Sequence, residues 1–150
     1  MNSKILLASL KAQEANLESL ISILENQKKA IVHNDSKALE KEIIEEQNVL
    51  KKLDQEEKNR LKIVNDIAFQ NSIEVAGNSL DFLLKNKSIF FGKDIKELEK
   101  ARLSLKNKVK AVMNLNAQLK SIIEFSRNFL REIIITLSGP NKHALVNKRV

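Results

Sequence analysis

Residues 95–137 read IKELEKARLSLKNKVKAVMNLNAQLKSIIEFSRNFLREIIITL, and this stretch decides the fold. Leu98, Leu105, Val109, Val112, Leu119, Ile123, Leu130, Ile133 and Leu137 recur at gaps of three, four and seven residues. That spacing draws a single apolar stripe along an α-helix. At about 1.5 Å per residue the helix is about 65 Å long. A lone helix cannot bury such a stripe, so the preceding segments are expected to cover it.

Those segments are helical too. Leu10, Leu17, Leu24 and Ile31 form one seven-residue row, and Leu6, Gln13, Leu20 and Gln27 a companion row. This is a coiled-coil-like seam with two polar layers. Ser3 is a candidate N-cap for this first helix, which runs to about Val32. His33-Asn34-Asp35 breaks the pattern, and Asp35 can cap a second helix that turns back antiparallel from Ser36 to about Gln70. Its stripe is Leu39, Ile43, Leu50, Leu53, Val64 and Ile67, interrupted by Glu46, Glu57 and Arg60. Glu57 and Arg60, three apart, can pair.

Residues 71–92 are the least regular. Gly77-Asn78 signals a turn. Ser79 can cap a short helix, Leu80 to Lys87, and Ile89, Phe90 and Phe91 are expected to plug the end of the bundle. Asp94 can cap the long third helix, and Ser138-Gly139-Pro140 stops it. The fold class is therefore all-α: long antiparallel helices in a three-helix coiled-coil-like bundle, with a short extra helix and a flexible C-terminal tail. Residues 1–138 form the bundle domain and 139–150 the tail.

Composition narrows function. The 150 residues include three Gly, one Pro, no Cys and no Trp or Tyr. Absence of Cys removes disulfides, thiolate zinc sites and cysteine nucleophiles. The two His, His33 and His143, lack helical zinc-site partners, and no glycine-rich phosphate loop exists. Glu45/Glu46 and Glu56/Glu57 are adjacent, so their side chains diverge by about 100° around a helix. No nucleophile–base set can be assembled. The expectation is a protein without catalytic, cofactor or metal residues. No apolar run approaches the roughly 20 residues of a membrane span. The first residues, with Lys11, Gln13 and Glu14 following Ile5-Leu6-Leu7-Ala8, read as helix rather than a signal peptide.

The net charge of +7 is unevenly spread. Residues 40–57 hold seven acids and three Lys, and residues 93–110 seven bases and three acids. The basic segment has no interleaved aromatics, so nucleic acid is not expected as a partner. A protein partner is. Ile133, Ile134 and Ile135 are consecutive, with Phe129, Leu130 and Leu137 beside them, and consecutive apolar residues cover more than one helix face. One face packs inward, leaving Phe129, Ile134 or Ile135 outward. With Leu145, Val146 and Val150 of the tail, these residues form the expected docking site.

Several stretches resemble the FlgN family of flagellar export chaperones. They are Leu17 to Leu24 followed by Gln27-Lys28-Lys29-Ala30-Ile31-Val32, Asp35 and Leu39; Glu46-Gln47-Asn48-Val49-Leu50-Lys51-Lys52-Leu53 leading into Glu57 and Arg60; Asn114 and Asn116 before Leu119; and Gly139-Pro140 with the ending Asn147-Lys148-Arg149-Val150. The resemblance covers essentially the whole chain. It implies a cytoplasmic chaperone that binds the hook–filament junction proteins FlgK and FlgL, prevents their premature association and brings them to the type III export apparatus. It places the cargo site at roughly Phe129 to Val150. Leu137 stands where the family often has a Tyr, so docking on an export-apparatus component would rely on apolar burial alone. The alternative class is a non-enzymatic coiled-coil scaffold that dimerises through its stripe.

Overall fold

The computed structural model describes residues 2–72 and 92–138, and all their regular structure is helical. Three helices follow in order: α1 (Asn2–Val32), α2 (Ser36–Gln70) and α3 (Gly92–Ser138). The predicted short helix Leu80 to Lys87, the Ile89–Phe91 plug, the Gly139 stop and the tail lie outside the described residues.

The α1–α2 turn forms as its residue types require. Asn34 takes a left-handed φ of 55°, a conformation that Asn tolerates better than most residues. The amide of Asp35 then donates to the Ala30 carbonyl at 2.8 Å and that of Asn34 to Ile31 at 3.1 Å, which satisfies two carbonyls at the end of α1. Asp35 also caps the next helix, its side chain accepting from the Ala38 amide at 3.1 Å. The other two predicted caps differ. Ser3 and Asp94 both lie inside first turns, and the Ser3 hydroxyl donates to Asp94 Oδ2 at 2.8 Å. They tie two helix starts together instead of capping either.

The sequence reading makes the third helix the organiser, but the structure gives that place to α1. α1 packs against both α2 and α3, while α2 and α3 make no comparable contact with each other. Near its start the core joins Leu6 and Leu10 to Val64 and Ile67 of α2 and Leu98 and Ala101 of α3. Near its end Leu20, Ile23 and Leu24 join Val49 and Leu119. Between these clusters sits the first polar layer, and beyond them the second. Gln13 and Gln27 are both buried. Gln13 Nε2 donates to Glu57 at 2.8 Å, and Gln27 Nε2 to Glu46 at 2.7 Å. Buried amides need such partners, and Glu46 and Glu57, which interrupt the α2 stripe, supply them. Arg60 completes one layer, its Nε donating to Glu57 at 3.2 Å.

Candidate functional site

α1 and α3 run parallel, and polar contacts fix their axial register. Ser3 meets Asp94, Glu14 accepts from the Ser104 hydroxyl at 2.6 Å, and Lys28 donates to Gln118 at 3.0 Å. The separations are 91, 90 and 90 residues. Lys108 adds ion pairs to Glu14 at 3.3 Å and Glu18 at 3.2 Å. The Ser104 hydrogen bond and the nearby Lys108 hold the Glu14 carboxyl below its ordinary range. Hydrogen bonds to Glu18 and Glu14 raise the Lys108 ammonium above its own.

This register has a geometric consequence. An offset of 90 carried to Val32, where α1 ends, reaches position 122 of α3. α3 continues to Ser138, so about 24 Å of helix projects past the end of α1. The apolar stripe does not stop where its cover stops. On the projecting part Leu130 is 58 % exposed, Ile133 37 % and Leu137 80 %. Ile135 is exposed to the same extent as Ile133, and Ile134 is half-buried.

One expectation needs correction here. The earlier segments cover the stripe only as far as about Leu119, not to Leu137, and leave Val109 exposed within that length. On the projecting part Leu130 and Leu137 are more exposed than Ile134 and Ile135. The physical reason is that periodicity defines a face, and whether that face is inside depends on the length of its neighbours. Of the other predicted site residues, the Phe129 side chain and Leu145, Val146 and Val150 fall outside the described ones. Ile123 and Phe125, exposed on the same segment, are absent from the site that sequence reasoning drew. The length difference between the helices is the signal that could have found them.

The surface carries little chemistry beyond apolar area. Glu124, Arg127 and Glu132 are solvated charges around it. Among the described residues no group of three or more His, Cys, Asp or Glu could hold a metal ion. No described helix is long and apolar enough to cross a membrane. What such a surface can do is bind another apolar face.

Comparison with known proteins places the chain in a family. The family model described as FlgN protein matches residues 1–147. The chain belongs to the FlgN protein family. FlgN proteins are flagellar export chaperones, so the chain's general role is chaperoning in flagellum biogenesis, with partners among flagellar export substrates. The FlgN match includes all three helices and the whole projecting segment. Neither a curated protein nor a solved structure matches the chain.

Proposed function

We propose that this FlgN-family chain binds the hook–filament junction proteins FlgK and FlgL in the cytoplasm, prevents their premature association and delivers them to the type III export apparatus. One observation carries the reading: a third helix that outruns α1 and keeps Leu130, Ile133 and Leu137 in solvent. A monomeric chain gains nothing from such exposure, whereas a partner helix laid on it buries apolar area worth about 25 cal/mol per Å². Phe129, Ile134, Leu145, Val146 and Val150 are the remaining candidates for that interface. The mechanism is binding without catalysis or cofactor. The ordering of chain around the cargo offsets part of the contact energy and keeps the complex reversible, as handover to an export-apparatus component requires.

The test is calorimetric titration of purified FlgK or FlgL with the full chain, with Leu130→Asp and Leu137→Asp variants, and with a chain lacking 141–150. Binding that weakens about tenfold or more in the two Asp variants, with helicity unchanged, supports the reading. Equal binding by all three sinks it for this surface.

A further inference from the structure

The apolar track does not begin at the projecting segment. The core-packed row of α3 is Leu98, Leu105, Val112 and Leu119, of which Leu98 and Leu119 are buried and the other two half-buried. On one flank of this row Ser104, Lys108 and Gln118 reach α1. The opposite flank, turned away from those α1 contacts, is a second seven-residue row, Val109, Asn116, Ile123, Leu130 and Leu137, and all five are exposed. α2 has a matching row, Ile43, Leu50, Glu57 and Val64, on the flank away from Glu42, Val49 and Glu56, and its Glu57 accepts from Gln13 of α1. Val64 is fully buried in the cluster with Leu6 and Leu10 of α1 and Leu98 and Ala101 of α3, so this row borders α3 at that end.

The seam between these rows closes at one end only. Val64 has no exposure, while Ile43, Leu50, Val109 and Ile123 are all 43–46 % exposed. The gap therefore opens toward the α1–α2 turn and runs straight onto the projecting part of α3. Its borders differ in charge. On α3 the border row is Lys106, Met113, Lys120 and Arg127, all exposed. On α2 it is Glu40, Gln47 and Asp54, with Asp54 already paired to Lys58 at 3.2 Å.

We infer that the partner's helix lies along this whole track, from between Leu50 and Val109 to Leu137, and that its flank toward α3 is acidic. This rests on the junction-protein reading above and extends it. The 28 residue steps from Val109 to Leu137 span about 42 Å, so the occupant is an amphipathic helix of roughly that length. Its apolar stripe fills the seam, and its carboxylates meet Lys106, Lys120 and Arg127. The excess of bases over unpaired acids at the borders favours an acidic occupant over a basic one, and makes binding weaken with salt.

The experiment titrates FlgK or FlgL with the full chain carrying Leu50→Asp, Val109→Asp, or the pair Lys106→Glu and Lys120→Glu, beside Leu130→Asp. The track requires the two seam variants to lose about tenfold in affinity, and the charge-reversed pair to lose affinity at low salt with a flatter salt dependence. Hydrogen exchange of the unmodified chain, saturated with the junction protein, should also slow at amides of residues 40–54; this readout needs no variant to fold. Loss confined to Leu130→Asp, with seam variants within about twofold and no slowing in α2, overturns the track and leaves the junction-protein reading standing. No effect of any variant, or no binding to either protein, overturns both.

Discussion

Gln27 lies buried on α1 and donates from Nε2 to Glu46 of α2 at 2.7 Å. Fourteen residues earlier Gln13 makes the equivalent bond to Glu57. The two layers interrupt an apolar interface 14 residues apart on α1 and 11 apart on α2, and an axial slip of α2 along α1 would leave two buried amides unpaired. An unpaired buried polar group costs about 1–3 kcal/mol, so the layers select one alignment. Replacing Gln27 by Ala should lower unfolding free energy by about that amount in a urea melt. Replacing Gln27 and Glu46 together by Leu should recover most of it. A single variant as stable as the parent would show that the layer contributes nothing.

Acid should weaken the bundle through Glu57 and Glu14. The Arg60 hydrogen bond, helped by Gln13, holds the Glu57 carboxyl below its ordinary range. Ser104 and Lys108 do the same for Glu14. A carboxyl depressed in the folded state contributes stability above its unfolded value, and that contribution is lost as pH falls through the folded one. The melting temperature should hold between about pH 7 and 5 and fall once pH drops below about 4.5. Glu57→Gln should shallow the fall; an unchanged acid limb would assign it to other groups.

Lys108 joins α1 to α3 through two carboxylates, so Lys108→Met should lower the melting temperature, more at low salt than high, because the interaction removed is screened. Equal losses at both salt levels would make the effect one of packing alone.

Leucines of one stripe should answer differently to truncation. Leu119 is buried in the cluster with Leu20, Leu24 and Val49, and Leu119→Ala should cost about 2–5 kcal/mol. Leu137, on the same helix and 80 % exposed, should cost about 0.5 kcal/mol or less when cut to Ala. Chemical melts of the two variants decide this, and similar losses would mean that the projecting segment is part of the folded core in solution.

The heptad rows, the Asn34-Asp35 turn and the poverty of Gly and Pro were sufficient to place three long helices and to set α1 to end at Val32 and α2 to run from Ser36 to Gln70. These are local properties: side-chain spacing around one helix and the capping chemistry of a few neighbours decide them. The sequence also put Gln13 and Gln27 in the seam, but their partners 44 and 19 residues away appear only when α1 and α2 are laid side by side. The helix that covers the others, the alignment of α1 with α3 and the point where Leu130 and Leu137 pass into solvent belong to the tertiary structure alone. A repeating stripe reads the same at every turn, so it fixes direction around a helix but not position along it. That position comes from contacts such as Lys28 with Gln118, between residues whose separation no local pattern encodes.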